Sequence, residues 1–288
     1  MALKRLLRPT NRKVRLAVGL LIAGLFCIQC TSSSQANKTT KLVVIGGIAM
    51  SGNTSEMAAK VEQLAKKDHI ALLEYCLQNC QEHYQDYTCT FIKQEQINGI
   101  VGKEQWIHVK FKNDPFSVVM AWTPETAPLG DRFIYVEGKN DGQMLVRPRG
   151  ILGPLVGTVK RQPDGPEAMQ NTLRPVTMFG FERSLKSLLE VYDKAKQHGD
   201  LKEEFGGHAD VAGRKCVVLV RYLPAKDDYP AAKTVICIDT EYLLPISVEG
   251  YDWENRCTSR YIFKDLKFNV GLKDSDFTPE ANDMKRPK

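Results

Sequence analysis

The chain has 288 residues, 43% hydrophobic and 26% charged, proportions of a folded globular protein rather than a disordered or collagen-like one. Its formal net charge of +6 does not mark a nucleic-acid binder: Lys4, Arg5, Arg8, Arg12, Lys13 and Arg15 precede residue 16, and residues 1–36 hold no Asp or Glu. Removing those six from 40 basic residues leaves 34 against 34 acidic ones, a balance with no basic excess to engage phosphates.

The N-terminus has the three parts of an export signal. A basic stretch to Arg15 is followed by apolar residues 16–28 and a polar stretch at 31–41. Thirteen apolar residues are too few for a bilayer-spanning helix, which needs about 20, but they suit a secretory signal. Ser34-Gln35-Ala36 offers a cleavage site with small residues, and Cys30 offers a lipidation site, although Gln29 and Cys27 fit a lipobox poorly. An uncleaved anchor, giving membrane association through the N-terminus, is the third alternative. The expected organisation is a signal or anchor over 1–36, a linker over 37–53, one domain over 54–280 and a disordered tail over 281–288. A second apolar run, 42–50, reads as a strand or linker.

Asn53 and Glu56 stand at capping-box spacing and open a helix running to about Tyr84, with the Lys66-Lys67-Asp68 cluster as a point of interruption. From Tyr87 the period shortens to that of strands. Segments 88–94, 104–111, 116–122, 132–137 and 143–147 are rich in β-branched and aromatic residues, and turn residues such as Asn113-Asp114-Pro115 separate them. Links this short favour antiparallel neighbours. A second helix is expected over 177–198, with Met178, Phe181, Leu185, Leu188, Leu189 and Tyr192 at helical spacing, Thr177 as cap and Gly199 as stop. Strands return at 203–208, 215–222, 234–239, 243–251 and 258–268, and the polar chain after Thr278 is expected to fray. Helix, meander, helix, meander is an α+β order: a curved antiparallel sheet with helices on one face.

Beyond Cys27 and Cys30 in the signal, six cysteines remain: Cys76, Cys80, Cys89, Cys216, Cys237 and Cys257. An even number in an exported chain points to disulfides. Cys216 and Cys237 fall nearly opposite if their hairpin centres near Lys226, and Cys80 and Cys89 flank the first helix-to-strand connection. Cys76, Cys80, His83 and Cys89 also supply four soft ligands, but their spacing fits no zinc pattern. No metal and no cofactor is expected.

No catalytic signature is present: no G-x-S-x-G, Walker loop, H-E-x-x-H or G-x-G-x-x-G. The five histidines are scattered. His108 alternates with Trp106 and Lys110 as a strand residue, while His208, Asp210 and the Asp227-Asp228 pair read as solvated turn residues. Asp274-Ser275-Asp276 is too small a set for calcium. Asn53-Thr54-Ser55 matches a glycosylation triplet of a kind common by chance. Nothing selects Cys89 with His83 as a nucleophile and base.

Several segments carry a family resemblance. Lys110-Phe111-Lys112-Asn113-Asp114-Pro115-Phe116-Ser117-Val118 resembles a K-x-R-x-x-P-F-S-V pattern, with Lys112 in place of the usual arginine. Residues 133–142 read F-I-Y-V-E-G-K-N-D-G against a V-I-Y-V-E-G-K-N-D-G pattern. Arg174-Pro175-Val176-Thr177 follows, with Leu173 where an aromatic is commoner. Leu244-Pro245-Ile246 with Tyr251-Asp252-Trp253, and Asn269-Val270-Gly271-Leu272 with Asp276-Phe277, complete the set. In order, over most of residues 70–280, these resemble the bacterial domain-of-unknown-function family 1571. That family is similar to the fold of LolA, LolB and MucB, an incomplete antiparallel barrel whose concave side is covered by helices.

The resemblance implies holding an acyl chain or lipoprotein without chemistry, although one fold hosts many functions. The residues are compatible with this. Phe116, Val118, Met120 and Trp122 share one face of a strand, and Trp106, Phe133 and Tyr135 add aromatics, so a half-barrel lined by them can receive an apolar chain. The expected protein is therefore a non-catalytic envelope component with lipid or lipoprotein as partner and no nucleic acid. The alternative is a structural or protein-interaction module with a filled core.

Overall fold

The computed structural model describes residues 54–127, 130–150, 157–226 and 229–285. The export signal, Cys30, residues 42–50, Asn53 and Asp227-Asp228 lie outside these residues.

The expected first helix is two. Helix α1 spans Thr54–Lys67 and α2 spans His69–His83. The break falls at Asp68, whose backbone is extended and whose carboxylate accepts from the Ala71 amide at 3.0 Å, so it caps α2. Along α2 the buried residues His69, Leu72, Leu73, Cys76, Asn79 and Cys80 recur at helical spacing and form one packed face.

Strands β1 (Asp86–Ile97), β2 (Ile100–Val101), β3 (Gln105–Lys112), β4 (Ser117–Trp122), β5 (Gly130–Val136), β6 (Met144–Pro148) and β7 (Val159–Arg161) form an antiparallel meander. The second meander comprises β8 (Lys202–Val211), β9 (Arg214–Tyr222), β10 (Lys233–Asp239), β11 (Pro245–Tyr251) and β12 (Cys257–Phe268). Strand β12 lies antiparallel against β1, Phe263 opposite Phe91 and Tyr261 opposite Lys93. The chain thus starts in mid-sheet, steps out to β7, crosses to β8 at the far edge and steps back. Because β7 and β8 do not pair, the curved sheet stays open. Lys202, Glu203 and Glu204 on β8 place charge on that edge, which discourages pairing with another chain.

The crossover carries helix α3 (Pro166–Met169), a 3-10 turn at Val176–Met178 and the long helix α4 (Phe181–Gln197). Helix α4 starts four residues later than its apolar spacing predicts, because Gly180 rather than Thr177 is its N-cap. Gly180 has φ of 105°, and a Cβ there would lie 2.7 Å from the Phe111 ring. Gly180→Ala therefore combines a glycine-only backbone with a clash, and is expected to cost about 2 kcal/mol; an unshifted urea midpoint would contradict this.

From Pro279 to Met284 the chain after Thr278 is docked rather than frayed; residues 286–288 lie outside the described residues. Short 3-10 turns at Asp274–Phe277 and Glu280–Asn282 lead to Met284, and Phe277 and Met284 bury against Val119, Ile134 and Leu145. Those three strand residues alternate with the helix-covered face, so they need a cover of their own, and the tail supplies it.

The six described cysteines are free thiols. The hairpin joining β9 to β10 places Cys216 opposite Asp239 and Cys237 opposite Val218, a two-residue offset from the opposition expected for a bridge. Cys80 on α2 and Cys89 on β1 are likewise unbonded.

Candidate functional site: a cavity beneath the crossover

In the first meander, inward-facing residues stack in rows across the sheet. Phe91, Ile107 and Trp122 are successive partners in one row; Val109, Met120, Phe133, Val146 and Val159 form the next; Phe111, Val118 and Tyr135 form a third. The N-terminal end of α4 fills the space over the third row: Phe181 packs on Tyr87 at 5.2 Å, Phe179 on Phe111 at 6.1 Å, and the Arg183 guanidinium lies 3.6 Å from the Phe116 ring centre. Toward the first two rows α4 contributes only Ser184 and Leu188 to the lining. The irregular crossover, from Pro163 to Phe179, roofs the sheet there and leaves a cavity of about 480 Å³, within the range of roughly 300–1,000 Å³ for small-molecule sites.

The floor is Phe91, Ile107, Met120, Trp122, Phe133 and Met144, the far wall is Val248, Tyr261 and Phe263, and Ala168, Val176 and Met178 hang from the roof. Gly130 keeps one edge open: a Cβ there would come within 2.8 Å of the Phe133 and Val146 side chains. One end is polar. Lys93 donates to Glu95 at 2.9 Å and to Thr172 of the roof at 3.0 Å. Glu95 also accepts from the Tyr261 hydroxyl at 2.6 Å. Burial, then the Glu95 charge, raises the Tyr261 phenol above its usual range. Arg161 pairs with Glu167, and Arg174 lies 5.9 Å from the Tyr261 ring centre.

The residues singled out by the sequence separate into three groups. Met120, Trp122 and Phe133 line the cavity, with Trp122 held by Gln105 at 2.7 Å and packed on Phe133 at 4.5 Å. Phe116, Val118 and Tyr135 share that face but lie in the packed core. Trp106 is on the opposite face: β3 buries Ile107, Val109 and Phe111, which turns Trp106 outward beneath Lys264 and onto Glu104. Lys93 and Glu95, not singled out beforehand, had a visible signal. They continue the inward alternation of Tyr87, Cys89 and Phe91 with two charges on a strand that proves central.

Among the described residues no His, Cys, Asp and Glu cluster has the makings of a metal site. Burial pushes the Cys80 and Cys216 thiols up to about 12 and that of Cys237 to about 11, and raises Cys76 and Cys89 further. A thiol so protonated at neutral pH is a poor nucleophile and ligand. His83, the candidate base, is instead 3.1 Å from the Asn79 carbonyl. Among the described residues no helix is long and apolar enough to cross a membrane.

The architecture defines an α+β half-barrel: an unclosed antiparallel sheet with helices on its concave face. Residues 84–285 match the family described as Protein of unknown function (DUF1571), and the chain belongs to that family. No curated protein matches the sequence. Among solved structures, a chain of the Pseudomonas aeruginosa MucA/MucB complex is similar at 12% identity and a TM-score of 0.44, covering 73% of this chain and 60% of that one. The Mycobacterium tuberculosis lipoprotein LppX is similar at 11% identity and 0.41, covering 70% and 98%. A LolA superfamily protein from Nitrosomonas europaea is similar at 9% and 0.31, covering 72% and 98%.

Proposed function

We propose that this protein is an exported, non-catalytic component of the cell envelope that holds the acyl chain of a lipid or lipoprotein. The observation that carries this reading is the cavity of about 480 Å³ with its largely apolar floor, walls and roof. Apolar chains gain about 0.8 kcal/mol for each methylene they bury, so such a space favours an acyl chain over a polar metabolite. The export signal supports an envelope location, and the burial of five of the six described thiols speaks against a cysteine nucleophile among them.

Ala168 hangs from the roof, half-buried. Ala168→Trp is expected to fill the cavity and lower the affinity for a fluorescent fatty acid at least about tenfold, the loss of a few buried methylenes, with little change in Tm. Native mass spectrometry of the protein from its own envelope is expected to show bound lipid. A ligand-free spectrum with no fatty-acid uptake would overturn the reading.

A second reading, a protein-interaction module, is favoured by one observation. Ile100 is 74% exposed, Val101 56% and Trp253 47%, and the β1–β12 register places their hairpin tips at the same end of the sheet. Large apolar side chains gathered on a surface mark contact sites.

A further inference from the structure

The charges around the cavity are unevenly matched. Lys93 is paired with Glu95 and Arg161 with Glu167. Arg174 also lines the cavity, and among the described residues it has no carboxylate partner, only the face of Tyr261. A second cation without a carboxylate partner among the described residues lies nearby, its guanidinium 4.8 Å from the Tyr192 ring centre. Arg221 on β9 is 2% exposed, and its Nε and Nη1 groups have no hydrogen-bond partner; only Nη2 bonds, to Thr234 at 2.9 Å.

The strand register places Arg221 in the same row of the sheet as Glu95, four strands away from it. Arg221 faces Thr234, Thr234 faces Gly250, Gly250 faces Ser259, and Ser259 faces Glu95, in one row across the sheet. Burial lowers the pKa of Arg221, Tyr192 opposes this, and the charge of Arg174 adds a smaller lowering, so the two guanidiniums repel one another. Glu203 stands opposite Arg221 on β8 but does not pair with it; its carboxylate is 3.8 Å from His69 instead. A buried cation with open donors is costly unless an anion comes to it.

We propose that the cavity takes an anionic amphiphile, an acyl chain ending in carboxylate or phosphate, with its head group held by Arg174 at the polar end and its tail on the Phe91–Ile107–Met120 floor. This rests on the acyl-binding reading and adds the chemistry of the head group. Arg174 is exposed, so its guanidinium can meet a carboxylate or phosphate oxygen by paired N–H donors. Arg221 adds positive potential from the buried side and is left in place by the test.

The test uses the delipidated full chain and one pyrene-labelled acyl chain in three forms: carboxylate, phosphate monoester and neutral methyl ester. At least one of the two anions is expected to bind about tenfold more tightly than the ester, the scale of one charge-assisted hydrogen bond, and the tighter anion identifies the head group. Arg174→Gln is expected to bring that anion to the affinity of the ester and leave the ester unchanged. An ester that binds as tightly as both anions overturns the head-group assignment alone, as does an Arg174→Gln chain that weakens all three probes equally. If none of the three probes binds, the acyl-binding reading falls, and the head-group assignment with it.

Discussion

Asp86→Ala is expected to cost about 4 kcal/mol of folding free energy, the largest effect of any single substitution considered. The Asp86 carboxylate is buried at the start of β1 and accepts three backbone amides, Val270 at 2.7 Å, Gly271 at 3.1 Å and Leu272 at 3.2 Å. Hydrogen bonds to a charged acceptor contribute about 1.5–3 kcal/mol each, and donors left unpaired carry their own desolvation cost. The loss should spread outward, since the segment after Leu272 carries Phe277 and Met284 onto Val119, Ile134 and Leu145. Urea denaturation gives the total cost, and amide exchange should speed up first over 270–285. Asp86→Asn keeps an acceptor oxygen and should cost about half as much. A cost below about 1 kcal/mol for the alanine variant would mean the carboxylate is not the clasp.

Stability should also fall on acidification through His69. This imidazole is 2% exposed, and burial lowers its pKa to about 4, against the weaker opposing effects of the Ala65 carbonyl and the Asp68 charge. The neutral ring is well served: one nitrogen donates to the Ala65 carbonyl, and Nδ1 meets the Tyr192 hydroxyl at 3.2 Å. From the ordinary value of 6.5 down to about 4, the unfolded chain binds a proton that the folded chain refuses. Stability therefore drops as pH falls through that window.

At 1.36 kcal/mol per pH unit, discounted for residual solvent screening, the drop between pH 7 and 4.5 is about 2 kcal/mol. Glu203, 3.8 Å from the ring, has its own pKa raised by burial, then by Asp68. It acts in the opposite sense, since the folded state takes up its proton first as pH falls. The comparison is therefore with His69→Gln: the stability gap between the two chains should shrink by about 2 kcal/mol from pH 7 to 4.5. A gap independent of pH would show that His69 is not the titrating group.

The segments that carry the family resemblance prove to be mainly structural. Asn269 donates to the His83 carbonyl at 2.7 Å and accepts from the Gln85 amide at 2.9 Å; Asn113 donates to the Tyr84 carbonyl at 2.6 Å; Lys112 pairs with Asp274. Together with Asp86 they fasten the joint between α2 and β1 to the C-terminal ends of the flanking strands β3 and β12, all at one end of the sheet. Asp252 does similar work in the turn before β12, accepting from the Glu254 and Arg256 amides. Of these motif segments, only the one holding Arg174, Pro175 and Val176, together with Phe133 and Pro245, touches the cavity.

The amino-acid sequence by itself determined the α+β order, ten of the strands and the two meanders, because alternation and short turn-rich links are local properties of the chain. It also showed the face shared by Phe116, Val118, Met120 and Trp122. What it did not contain was the part of that face left uncovered. Only the tertiary structure decided that α4 fills the space over Phe116, Val118 and Tyr135 while the irregular crossover leaves room over Met120, Trp122 and Phe133. It likewise decided that Trp106 turns away and that Lys93 and Glu95 turn in. Strand period fixes which residues share a face, but the partner of each face, and so the place of the cavity, depends on where a distant segment of chain lies across the sheet.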